Sequence, residues 1–143
     1  MNDQQLITQL NALNAKSVKE FSFDKFNCLA KVVRVHDPDT ITIIFKYQDT
    51  FYKKNLRLNG IDAPELHSKI KSEADLCKAG QVYLSDLILN KIINVQMGPF
   101  DKYGRILSKI YLYPDNTDII QNLITGGFVR EYDRGHKDTW NLS

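Results

Sequence analysis

Between Cys28 and Tyr47 the chain carries a run rich in Val, Ile, Thr and Phe that is broken once, at Asp37-Pro38-Asp39. β-Branched and aromatic residues suit a pleated surface, while Pro and Asp are turn residues, so the run predicts two strands joined by a tight turn. Ile41, Ile43 and Phe45 then share one face of the second strand. A third extended run covers residues 50–61, where Leu56 and Leu58 alternate with Arg57 and Asn59, putting Arg57 on the face opposite the leucines. Gly60 marks a bend or bulge, and Pro64, which lacks an amide hydrogen, takes the chain out of the sheet around residues 62–65.

The period then changes. Ser72 and Asp75 have the pattern of a capping box, and Ala74, Cys77, Leu84, Leu87 and Ile88 recur at helical spacing behind them. Gly80 inside this helix costs about 1 kcal/mol relative to Ala, and close packing is the reason to keep a glycine there. Residues 91–97 and 105–113 read as two more strands, joined by a loop containing Pro99 and Gly104. Asn116 or Thr117 is expected to cap a last helix that ends at Gly126-Gly127. Leu6, Leu10 and Leu13 predict a short amphipathic helix ahead of all this, acting as a packing accessory. Three strands, a helix, two strands and a helix predict an α+β fold, a five-stranded OB-type β-barrel with flanking helices.

Length leaves room for one domain, because 143 residues bury about two thirds of their unfolded surface in a single core. A net charge of +2 gives no global field that would hold a polyanion, so any such argument must be local. Lys53, Lys54 and Arg57 share one segment, and Arg130, Arg134, His136 and Lys137 gather near the end; the same residues read equally well as solvated surface. Cys28 and Cys77 show neither zinc nor disulfide spacing and are expected as buried, reduced thiols. His36, His67 and His136 lack metal-binding spacing and are expected to stand aside from the chemistry. The first fourteen residues lack a basic start and an apolar run, and no stretch is apolar enough to span a bilayer. The expectation is a soluble, intracellular protein without membrane contact, unless a leader has been removed.

Two charged clusters carry the chemistry: Arg57 to Glu65, and Asp101-Lys102-Tyr103-Gly104-Arg105. With Asp37 and Asp39 they supply hard oxygen donors, a candidate base and two guanidinium groups suited to a phosphodiester. Taken singly, an Asp-x-Asp turn and a strand-ending aspartate also occur as plain structural features. Together they are the inventory of a metal-dependent phosphodiesterase.

In this order and at these separations, residues 31–132 resemble the staphylococcal nuclease (thermonuclease) family. The match runs through the aspartate-bearing turn, the Arg57-Leu58 segment leading into Asp62-Ala63-Pro64-Glu65, the intervening helix, and the cluster ending at Arg105. The resemblance implies an OB-type barrel, calcium dependence, and hydrolysis of DNA and RNA to 3′-phosphate and 5′-hydroxyl products. Carried over residue by residue, it implies catalytic roles for Arg57, Glu65 and Arg105, and calcium ligands Asp39, Asp62 and the Ala63 carbonyl. Lys102, Tyr103 and Tyr132 become substrate contacts, and Asp37 a residue behind the metal. Pro38 and Ala63 depart from the staphylococcal enzyme, which has glycine and threonine there, and residues 131–135 replace a tyrosine-rich segment that contacts the base. Trp140 is expected to anchor the shortened tail by packing.

The expected organisation is an N-terminal extension over residues 1–27 and an SN-type nuclease domain over 28–143. DNA and RNA are the expected partners, with no obligate protein partner. The alternative is a catalytically silent SN-type domain that binds nucleic acid or protein.

Overall fold

A computed structural model of the chain describes residues 2–132 and Trp140. Its elements run α1 (Asp3–Asn11), β1 (Asn27–Asp37), β2 (Thr40–Tyr47), β3 (Thr50–Leu58), β4 (Ile61–Asp62), α2 (Lys71–Ile88), β5 (Ile92–Phe100), β6 (Ile106–Leu112), α3 (Ile119–Thr125) and β7 (Arg130–Glu131). β1, β2, β3, β6 and β5 close in that order into a barrel, and β4 pairs separately with β7. Every barrel pairing is antiparallel except β3 with β6, which is parallel. This is the expected OB-type barrel of an α+β fold.

Both hairpins follow from turn chemistry. Asp37 pairs with Thr40, so β1 and β2 are joined through Pro38 and Asp39 alone. Tyr47 pairs with Thr50, and Gln48 and Asp49 between them both take positive φ, the combination whose twist matches two flanking strands. Inward residues then alternate along each strand: Ile41, Ile43, Leu56, Ile93, Ile106 and Ile110 are fully buried. Each such side chain contributes about 1.5–3 kcal/mol through the apolar surface it removes from water. Phe23 is buried in the same core, with Phe26 packed against it, and Lys25 and Phe26 exchange backbone bonds with Met97.

The helices depart from expectation at their ends. α2 begins after Ile70, which makes no side-chain cap; Ser72 lies within the first turn, and Asp75 pairs with Lys71 at 2.7 Å instead of closing a box. An ion pair four residues apart on an exposed face uses the same carboxylate that a cap would need. α3 is capped by Asp118, whose carboxylate accepts from the Gln121 amide, rather than by Asn116 or Thr117. Asn116 has φ +60°, a turn conformation that precedes the cap. α1 buries no residue, so Leu6 and Leu10 remain exposed; its hold is the reciprocal Asn2–Gln5 capping box. The packing role expected of it is not made among the described residues.

Cys28 and Cys77 are unpaired thiols, and burial pushes both up to about 11. Among the described residues no helix is long and apolar enough to cross a membrane.

Candidate active site

α2 packs on β1 so closely that its backbone meets the β1–β2 turn. A Cβ on Gly80 would stand 2.7 Å from Pro38 Cγ and 3.2 Å from Phe128 Cβ, closer than a proline ring can yield. Gln81 adds a hydrogen bond from its amide to the Val35 carbonyl at 3.1 Å. The turn is thereby clamped, and it carries Asp37 and Asp39 at a fixed position.

Asp39 accepts from the Thr40 hydroxyl at 2.9 Å and stands 3.4 Å from Arg57 Nη1. Burial works against its charge, but the Asp37 side chain, the Arg57 guanidinium and Thr40 outweigh it and hold the carboxyl below its ordinary value. Asp37 goes the other way, pushed up to about 7 by burial first and by the neighbouring Asp39. The turn thus sets the two carboxyls apart, Asp39 favoured in its charged form and Asp37 disfavoured in it.

Asp62 sits on β4 directly opposite Arg130 on β7. Its Oδ2 accepts from Arg130 Nη2 at 3.1 Å and Nε at 3.3 Å, and its side chain is 3% exposed. The Arg130 guanidinium also lies over the Trp140 ring, 4.3 Å from its centroid. Arg57 links the two aspartate segments. Beside Asp39, it donates to the Leu58 carbonyl at 2.9 Å and the Ile61 carbonyl at 2.8 Å, so its fork is oriented before any ligand arrives.

Arg105 is held by its own loop. Asp101 Oδ1 accepts from the Tyr103 and Arg105 amides at 2.8 and 3.0 Å, and Oδ2 from Arg105 Nε at 2.8 Å. Nη1 reaches across to the Thr40 hydroxyl at 3.3 Å, joining this loop to the acidic turn. Burial opposes ionisation of Asp101, yet the two amides and the guanidinium keep its carboxyl below the ordinary value. Tyr103 is 71% exposed, flanked by Lys102 Nζ at 5.1 Å and the Arg105 guanidinium at 5.4 Å from its ring.

Glu65 is exposed, and its backbone amide donates to Glu73 Oε1 at 3.1 Å. Glu73 Oε2 accepts from the Ser68 hydroxyl at 2.6 Å. A buried carboxylate in the first turn of α2 thus fastens the loop that carries Glu65. No sequence motif singles out Glu73. Its one signal is an acidic residue in the first turn of a helix whose N-terminus has no side-chain cap.

These residues gather around two clefts. One, of about 440 Å³, is lined by Asp37, Asp39, Asp62, Ala63 and Glu65, with His36 and His67, which were expected to stand aside. The other, of about 400 Å³, is lined by Lys102, Tyr103 and Tyr132 together with Asn59 and Phe100. Arg57 and Arg105 line both. Tyr132 is fixed there by its amide, which donates to the Gly60 carbonyl at 2.8 Å. Arg134, His136 and Lys137 lie outside the described residues.

Among the described residues no group of three or more His, Cys, Asp or Glu side chains is clustered to hold a metal. The acidic cleft is lined by four carboxyl side chains, Asp37, Asp39, Asp62 and Glu65, and by Ala63, whose backbone carries a carbonyl oxygen. Carboxyl and carbonyl oxygens are hard donors, the chemistry that suits calcium or magnesium.

The model of the family described as staphylococcal nuclease homologue matches residues 55–141, more than half of the chain. The chain belongs to this family. A relative in Escherichia coli called an uncharacterized endonuclease is 31% identical over 108 residues, covering 76% of this chain and 63% of that protein. A probable endonuclease, LCL3, of Phaeosphaeria nodorum is 33% identical over 61 residues, covering 43% of this chain and 21% of that protein. The chain thus spans less than two thirds of the length of the family relatives it matches.

Proposed function

We propose that this protein is a calcium-dependent, sugar-nonspecific nuclease that hydrolyses DNA and RNA to 3′-phosphate and 5′-hydroxyl products. The observation that carries the reading is the pair Arg57 and Arg105, which line both an acidic cleft and a basic, aromatic one. A phosphodiester bound between them would have hard donors and a carboxylate base on one side, and Lys102, Tyr103 and Tyr132 on the other. Family membership and the endonuclease names of the relatives point the same way.

In this reading Asp39, Asp62 and the Ala63 carbonyl would hold the calcium, with Asp37 behind them. The ion, when bound, supplies positive charge that polarises a phosphoryl oxygen. Glu65 orients the attacking water and takes its proton as the water oxygen bonds to phosphorus. The bond from phosphorus to the 5′ oxygen breaks, and that oxygen leaves with a proton drawn from water. Arg57 and Arg105 stay protonated throughout and offset the charge that builds on the equatorial oxygens.

One observation favours a second reading. Asp62 is already engaged by Arg130, and Asp39 by Arg57, an arrangement that also suits a domain which binds nucleic acid without cutting it. Incubation with single-stranded DNA and with RNA, in calcium or in chelator, separates the two. The expected result is calcium-dependent degradation that disappears in Glu65→Ala and Arg105→Ala. Binding without cleavage in every divalent ion would replace the nuclease reading with the binding one.

A further inference from the structure

The basic, aromatic cleft does not end at Arg57. A second hollow, of about 370 Å³, shares Asn59 and Leu107 with it, and a third, of about 380 Å³, shares Asn27 and Gln96 with the second. The strand register explains why they join into one trough. Arg57 on β3 pairs with Leu107 on β6; two residues further along β6, Lys109 pairs with Gln96 on β5, and Gln96 with Asn27 on β1. Side chains two apart on a strand share a face, so Arg57, Leu107, Lys109, Gln96 and Asn27 all stand on the outer face of the barrel. From β3 to β1 the path crosses three inter-strand steps, about 14 Å.

The trough has a low floor and, at its middle hollow, two lysines. Leu107 and Gly98 form the floor where the first two hollows meet β5, and a Cβ on Gly98 would stand 2.7 Å from the Leu107 carbonyl oxygen. Glycine is therefore what lets β5 lie close to β6 there, in the irregular stretch of register between Met97 and Phe100. Lys25 and Lys109, both exposed, stand at the middle hollow, and Asn27, Asn59 and Gln96 supply amides that donate and accept. Among the described residues no carboxylate lines the middle or the outer hollow. Asp24, next to Lys25 in the chain, and Asp115 and Asp118, near the far end, lie outside the lining.

We infer that this trough is a track for the stretch of single-stranded nucleic acid that flanks the phosphate bound by Arg57 and Arg105. Lysines spaced along a groove take backbone phosphates, and side-chain amides beside them bond to sugars and base edges without demanding one sequence. A strand lying there continues from the Arg57 cleft without a break. The track makes the protein a binder of extended strands and not only of the few atoms around one phosphodiester. The inference rests on the nuclease reading for its first phosphate, and its test keeps the two apart.

Fluorescently labelled single-stranded oligodeoxynucleotides of about 4 and about 16 nucleotides are titrated by anisotropy in chelator, across a range of salt concentrations. The proteins are the wild type, Lys25→Glu, Lys109→Glu, and Lys78→Glu as the same charge change on α2. Both trough variants are expected to bind the longer strand about tenfold more weakly. Their salt slopes should fall by about 0.7 for each phosphate that is no longer neutralised. Lys78→Glu should follow the wild type. If the trough variants bind the longer strand with wild-type affinity and slope, or if Lys78→Glu weakens it equally, the track is wrong while the nuclease reading stands. If the wild type neither binds nor cleaves either strand, both fall.

Discussion

The amide of Glu65 is held by the carboxylate of Glu73, at 3.1 Å, across the loop that leaves the barrel. The other Glu73 oxygen takes the Ser68 hydroxyl, so one buried side chain fixes both ends of the segment bearing the candidate base. Glu73→Gln keeps the shape and one acceptor but loses the charge that strengthens both bonds. The expected result is a drop of about tenfold in kcat with KM little changed, since a base displaced by a fraction of an ångström loses its line to the water. Glu73→Ala should also cost about 1–3 kcal/mol of stability through the amide and hydroxyl left without their acceptor. Steady-state kinetics and urea unfolding check the two separately; wild-type kcat in a folded Glu73→Gln would refute the positioning role.

Gly80→Ala sets two effects against each other. Alanine is favoured in a helix interior by about 1 kcal/mol, whereas a Cβ 2.7 Å from Pro38 Cγ demands a shift of helix or turn that costs about 1–3 kcal/mol. The clash is with a proline ring and not the free end of a long side chain, so it should win. The variant is expected to unfold at lower urea concentration. It should also bind calcium more weakly, because the displaced turn carries Asp37 and Asp39. A variant more stable than the wild type would show that α2 has room to spare.

How much of this was legible in the sequence depends on the range of the interaction. The hairpin through Pro38-Asp39, the inward Ile41, Ile43 and Phe45, and the outward Arg57 follow from turn chemistry and a period of two, and each is borne out. The core of α2 follows from a period near four, but its N-terminus does not, because Asp75 had two local uses and Lys71 took it. Pairings distant in the chain left no trace. Asp62 with Arg130, 68 residues apart, exists because β4 meets β7, and neither two-residue strand has a pattern to read. The residue types of the candidate site were visible; the clamp of Gly80 on Pro38 was visible only as a glycine in the wrong place for a helix.

Arg57 and Arg105 should fail differently. Arg57 donates to the Leu58 and Ile61 carbonyls and faces Asp39, so Arg57→Ala leaves buried acceptors and a carboxylate behind. It is expected to lose activity about a hundredfold or more and stability by about 1–3 kcal/mol. Arg105 is more exposed and its loop is closed by Asp101, so Arg105→Lys should lose comparable activity at little cost in stability, lysine lacking the paired donors that fit a phosphate. Comparing kcat/KM with the unfolding midpoint for each variant tests the contrast. Equal activity of Arg105→Lys and the wild type would remove the guanidinium from the chemistry.

Asp101 gives the loop a dependence on pH whose sign is fixed by its bonds. Its carboxyl is held below the ordinary value in the folded chain, so the charged form binds the fold more tightly than the neutral one. The stability it contributes is fully present above its unfolded value, about 3.9, and is lost as pH falls through the lower folded value. Asp101→Asn should therefore be less stable than the wild type at neutral pH, by about 1–3 kcal/mol, since an amide replaces a charged acceptor of two backbone amides and the Arg105 Nε. As pH falls through that lowered folded value the wild-type carboxyl itself takes up a proton, and the gap between the two proteins should close. Urea unfolding of both proteins from neutral pH to acid measures it. A gap that stays constant over that range would mean that Asp101 acts through shape alone, and that its charge does not organise the loop around Arg105.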